Sequence, residues 1–89
     1  MIRKEYHFYG RVQGVGFRFW ASMVAERVHV TGWIKNEFDG SVTAQVQGTR
    51  EQHELFLKQL EEHRYLRITK MEEKIMEINP KERRFSTAY

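Results

Sequence analysis

Apolar and polar positions alternate from the start of the chain. Ile2, Tyr6 and Phe8 fall on one side of an extended backbone and Arg3, Glu5 and His7 on the other, predicting a half-buried strand over residues 2–9. Lys4 interrupts the apolar side near the chain end, where its long stem still reaches solvent. Three glycines, Gly10, Gly14 and Gly16, then fall within seven residues and predict a loop with unusual backbone freedom. From Phe17 the period changes. Phe17, Trp20, Ala21, Val24 and Val28 recur at helical spacing, with Ser22, Glu26 and Arg27 polar, so an amphipathic helix of about three turns follows the loop.

A second strand is predicted from about Val30 to Asn36, with β-branched Val30, Thr31 and Ile34 around Trp33. Asp39-Gly40 is a turn signal and alternation resumes over residues 42–46, so the two segments form a hairpin. Thr49 and Gln52 make a capping box for a second helix whose apolar side is His53, Phe56, Leu57 and Leu60. A fourth strand lies within Leu66 to Ile78, ended by Asn79-Pro80, and a short fifth strand surrounds Phe85. Trp20 and Trp33 are expected as core anchors, and Met23, Met71 and Met76 as core or gap-filling residues. The element order predicts an α+β fold, a ferredoxin-like split βαβ sandwich with two helices on one face of an antiparallel sheet. Residues 1–89 form one domain on this reading. Such a fold serves enzymes, RNA binders and metal carriers alike, so function must come from a site.

Composition narrows the chemistry. A folded chain of this mass exposes about 5,500 Å² and buries roughly 65% of its extended surface, enough to fold without staples. The chain has no cysteine, which excludes a disulfide framework, a thiolate zinc site, an iron–sulfur cluster and a cysteine nucleophile. Fifteen Lys and Arg against twelve Asp and Glu leave a mild net charge of +3, which favours anionic partners without demanding nucleic acid. No apolar stretch is long enough for a membrane span and no secretory signal opens the chain, so a cytoplasmic protein, monomeric and away from membranes, is expected.

The informative stretch runs from Tyr9 to Arg18, leaving a strand, turning on glycines and entering a helix with an arginine in its first turn. Gly14 and Gly16 let successive N–H groups curl inward as an anion nest, at the positive end of the helix. Arg18 adds a planar fork that matches two phosphate oxygens. Neither a Gly-Lys-Ser/Thr element nor a third glycine follows, which excludes a Walker loop and a dinucleotide fingerprint. Taken alone, the glycines also suit a mere tight connection, and Asn36 a simple turn residue beside Asp39-Gly40.

Residues 10–18, GRVQGVGFR, resemble the signature of the acylphosphatases, and residues 32–36, GWIKN, resemble their second motif. The segment 39–42, the length and the element order extend the likeness over nearly the whole chain. The resemblance implies hydrolysis of carboxyl-phosphate anhydrides to a carboxylate and inorganic phosphate, without metal or other cofactor. It assigns Arg18 as the phosphate-binding arginine and Asn36 as the residue that positions the attacking water. The phosphate-binding stretch is then Gln13, Gly14, Val15, Gly16, Phe17 and Arg18. A small acyl phosphate is the expected partner, with inorganic phosphate as product and competitor.

The four histidines, His7, His29, His53 and His63, are scattered and read as structure rather than metal ligands. Two other functions keep the same fold. A nucleic-acid-binding module would stack bases on Tyr6, Phe8 and Trp33 of the sheet, although the basic residues form no stripe. A regulatory anion-binding module would keep the cradle and lack turnover.

Overall fold

The computed structural model describes residues 1–88. Its elements are β1 (Ile2–Arg11), α1 (Phe17–Val28), β2 (Thr31–Asn36), β3 (Val42–Gly48), α2 (Arg50–Leu60), β4 (Arg67–Met76) and β5 (Phe85–Thr87). The strands form one sheet in the order β4-β1-β3-β2-β5. β1 runs antiparallel to β3 and β4, and β3 antiparallel to β2. The expected antiparallel sheet is therefore correct for four strands. The fifth lies parallel to β2 and makes the sheet mixed, because the chain crosses from one edge of the sheet to the other before β5 begins.

The core follows the two hydrophobic periods. Tyr6 and Phe8 of β1, Ile34 of β2 and Val42, Ala44 and Val46 of β3 meet Phe17, Ala21, Val24 and Val28 of α1 and Phe56 and Leu60 of α2. α2 starts on the expected capping box, with the Thr49 hydroxyl accepting from the Gln52 N–H and the Gln52 side chain accepting from the Thr49 N–H. α1 ends on His29 in a left-handed conformation (φ 64°), whose N–H donates to the Ala25 and Glu26 carbonyls. That ending delays β2 by one residue relative to the sequence pattern.

The other face of the sheet carries Arg3, Glu5 and His7 of β1 opposite Gln47, Gln45 and Thr43 of β3. Arg3 is only 4% exposed there. Its guanidinium donates to Gln45, Gln47 and both carboxylate oxygens of Glu82, at 2.8–3.2 Å. Gln47 in turn exchanges hydrogen bonds with the Asn79 backbone. These bonds hold the crossing segment at the end of the sheet where β1 begins.

Several side chains depart from the sequence expectation. Trp33 is half-buried on the helix-free face, with the Lys35 ammonium 5.7 Å from its ring centroid, and is no core anchor. Trp20 packs at the core margin and donates its indole N–H to the Gln59 carbonyl at 3.1 Å. Met23 and Met71 are 39% and 40% exposed, and Met76 is half-buried, so none of the three fills the core. The physical reason on β4 is coverage: two helices cannot span five strands, and this edge strand overhangs. Among the described residues, no helix is long and apolar enough to cross a membrane.

Candidate active site

The loop between β1 and α1 is anchored at both ends. Val12 is buried before it, and the buried Phe17 ring meets Phe8 edge-on with centroids 5.3 Å apart. Between them, Gly14 and Gly16 adopt φ of 73° and 77°. A Cβ at either position would meet nothing within 4 Å, so conformation rather than crowding selects glycine. For a residue with a side chain that conformation costs about 1–2 kcal/mol. Gly16 is also the N-cap of α1, where no side chain caps the helix and no acidic residue stands in its first turn. The first-turn N–H groups thus project from the positive helix end towards the exposed loop.

Two hydrogen-bonded bridges tie the loop and Arg18 to the segment around Asn36. In the first, the Gln13 side-chain amide donates to the carbonyls of Glu37 at 2.8 Å and Ser41 at 2.9 Å. In the second, the Arg18 guanidinium donates to the Ala88 carbonyl at 3.2 Å, and the Ala88 N–H donates to the Ile34 carbonyl at 2.7 Å. Asn36 closes β2, opposite Val42 of β3, between the residues at which these bridges land. The loop and Arg18 are thus both bonded to residues that flank Asn36 along the chain.

The turn after Asn36 is held from several directions. The Glu37 N–H donates to the Ser41 carbonyl at 2.8 Å, and the Ser41 N–H donates to the Asp39 carboxylate at 2.9 Å. The Ser41 hydroxyl also donates to Asp39, and His7 Nε2 reaches the same hydroxyl oxygen at 2.6 Å, so the imidazole is its donor. Both Ser41 bonds hold the Asp39 carboxyl below its ordinary range. The Thr43 hydroxyl donates to the Glu37 carboxylate. Sequence reasoning missed this set of positioning groups. Only Asp39-Gly40-Ser41 carried a signal, the usual one for a side chain that bonds to its own turn.

Of the other candidates, His53 is buried far from the loop. Its Nε2 is 2.8 Å from the Ile2 carbonyl, so that nitrogen carries the proton, and Nδ1 accepts from the Tyr6 hydroxyl at 2.7 Å. Burial pushes the imidazole below its ordinary range, which matches a neutral structural residue. Tyr6 and Phe8 are fully buried beneath the helices, leaving Trp33 alone of the three aromatics a base-stacking surface would need. A groove of about 440 Å³ on the helix-free face is lined by Trp33, Lys35, Phe38 and neighbouring polar residues, and includes neither Arg18 nor Asn36.

Fold and loop together define a small α+β protein whose first strand passes through an uncapped glycine loop into a helix with an arginine in its first turn. A family model for acylphosphatase matches residues 4–87. Over 88 residues the chain is 41% identical to an acylphosphatase of Clostridium perfringens (strain SM101), covering 98% of this chain and 99% of that one. Another acylphosphatase, from Geobacillus thermodenitrificans, is 36% identical over 81 residues, 90% of this chain and 86% of its own. The crystal structure of acylphosphatase from Bacillus subtilis superposes with a TM-score of 0.91 at 29% identity, covering 100% of both chains. The chain belongs to the acylphosphatase family. It is accordingly a hydrolase of acyl phosphates.

Proposed function

We propose that hydrolysis is carried out by Arg18, the loop N–H groups and Asn36, acting on a small acyl phosphate. The observation that carries this reading is the bracketing of Asn36 by the two bridges, one from the phosphate loop at Gln13 and one from Arg18 through Ala88. The N–H groups of Gln13, Gly14, Val15, Gly16 and Phe17, together with the Arg18 fork, hold the phosphoryl oxygens. They match the charge these oxygens carry as the bond to the carboxylate loosens.

Asn36 offers one acceptor and two donors, enough to fix a water on the side of phosphorus opposite the leaving carboxylate. The water oxygen bonds to phosphorus and the P–O bond to the acyl group breaks, its electron pair leaving on the carboxylate. An amide cannot take the water's proton at neutral pH. The proton passes to a phosphoryl oxygen of the substrate, giving inorganic phosphate. Because the leaving group is already a good one, positioning and charge stabilisation suffice.

Inhibition by inorganic phosphate tests the cradle. Phosphate should compete with a simple aromatic acyl phosphate for wild type, and its inhibition constant should weaken sharply in Arg18→Ala. Failure of phosphate to compete with the wild-type substrate would contradict the cradle.

A further inference from the structure

The Gln13 side chain belongs to the glycine loop, yet both of its donors are taken by main-chain carbonyls. Its amide nitrogen has two hydrogens, and two carbonyl acceptors stand at 2.8 and 2.9 Å, those of Glu37 and Ser41. No donor of this side chain remains for a phosphoryl oxygen, and its own oxygen is an acceptor that an anion avoids. The two carbonyls it holds flank the turn that begins directly after Asn36.

The sheet ladder pairs Val42 of β3 with both Phe8 of β1 and Asn36 of β2, but it stops short of the loop itself. β1 and β2 are not neighbours, because β3 lies between them. β3 begins only at Val42, after the turn, so ladder hydrogen bonds do not tie the loop leaving β1 to the turn leaving β2. On the helix-free side, His7 of β1 holds the same turn through the Ser41 hydroxyl. Gln13 holds it by its backbone.

We propose that Gln13 is a positioning residue: its side chain is the strap that sets the register between the phosphate loop and Asn36. This role is additional to the part its backbone N–H plays in the cradle, and it rests on the reading of Asn36 as the water-orienting group. Strap loss leaves the loop amides and Arg18 able to bind phosphate but lets the water drift from the line of attack. Misplacement of about 1 Å in such a site costs up to roughly 100-fold in rate.

Two variants test it on the intact chain, with a simple aromatic acyl phosphate as substrate and inorganic phosphate as inhibitor. Gln13→Met keeps the length and removes both donors. Its kcat should fall about 10- to 100-fold, while the phosphate inhibition constant stays within about twofold, since the loop amides and the Arg18 fork that hold the anion are untouched. Gln13→Glu presents an ionised acceptor to two carbonyls at neutral pH and regains one donor when protonated. Its kcat relative to wild type should therefore rise as the pH falls from 7 through the carboxyl range, a profile that a merely space-filling role would not produce.

Full kcat in folded Gln13→Met would overturn the strap. So would a weakened phosphate constant with kcat unchanged, which would make the side chain a phosphate ligand. Should Gln13→Met fail to fold, the Gln13→Glu profile decides, and a flat ratio to wild type overturns the proposal. Full kcat in Asn36→Ala would instead remove the reading of Asn36 on which the strap depends, and is separable from any result at Gln13.

Discussion

The Arg18 guanidinium donates to the Ala88 carbonyl, so the arginine at the head of α1 is aimed by the residue that follows β5. Ala88 is itself fixed by its N–H on the Ile34 carbonyl of β2 at 2.7 Å. A strand of three residues thus orients a long, flexible side chain that would otherwise sample many rotamers.

Replacing Ala88 with proline removes that N–H and should free the Arg18 contact. Loss of one such bond corresponds to about 1 kcal/mol, or roughly fivefold. The phosphate inhibition constant of Ala88→Pro should weaken by about that factor, with the thermal midpoint little changed because the affected strand is a short edge strand. Enzyme kinetics with phosphate as inhibitor checks this.

The loop glycines should be sensitive for a conformational reason. Gly14→Ala and Gly16→Ala each place a Cβ on a left-handed backbone with φ above 70°. Each should cost about 1–2 kcal/mol if the loop keeps its shape. If the loop relaxes instead, the N–H groups turn away and phosphate competition weakens at nearly unchanged stability. Urea denaturation and phosphate inhibition, measured on the same variants, separate these outcomes; a variant unchanged in both would contradict the role assigned to the left-handed glycines.

Arg3 and Glu82 make a buried pair at the opposite end of the sheet from the loop. Glu82→Ala leaves the guanidinium without its carboxylate and should destabilise the fold by about 3–5 kcal/mol. Replacing both partners with apolar residues of similar size should restore much of the loss. Specific activity of the folded fraction should stay near wild type, since the pair touches neither Arg18 nor Asn36. Denaturation curves with activity measured in parallel provide the check.

His53 should set the acid limb of stability. Burial lowers its pKa in the fold below the ordinary 6.5, so the unfolded chain takes up the proton first as the pH falls. The contribution is fully present above about 6.5 and is lost progressively below it. The thermal midpoint should drop between pH 7.5 and 5.5, and the drop should be smaller in His53→Gln. An equal drop in both proteins would assign the acid limb to other groups.

The sequence pattern placed all seven elements because each has one strong local cause: alternation in β1 and β3, helical spacing in α1 and α2, and the Thr49–Gln52 box. It also placed Arg18 after the glycine turn and Asn36 at a strand end, since both positions follow from local order along the chain. What it lacked was long-range. Gln13 meets Glu37 and Ser41 across 24 and 28 residues, and Arg18 meets Ala88 across 70, contacts that depend on which strands become neighbours. Trp33 shows the same limit. Its β-branched neighbours marked a strand, but only register decides which face meets the helices, and Trp33 stands on the other one. The direction of β5 was hidden for a related reason, because the Asn79–Glu82 turn of the crossing segment is held in place by the distant Arg3 and Gln47.

Turnover of a simple aromatic acyl phosphate by Asn36→Ala, with its fold verified against wild type, tests the central claim most directly. Removing one preorganised hydrogen-bonding group should lower kcat about 100-fold or more, while inorganic phosphate still competes with nearly its wild-type constant because Arg18 and the loop remain. Wild-type turnover by a folded Asn36→Ala would contradict the account.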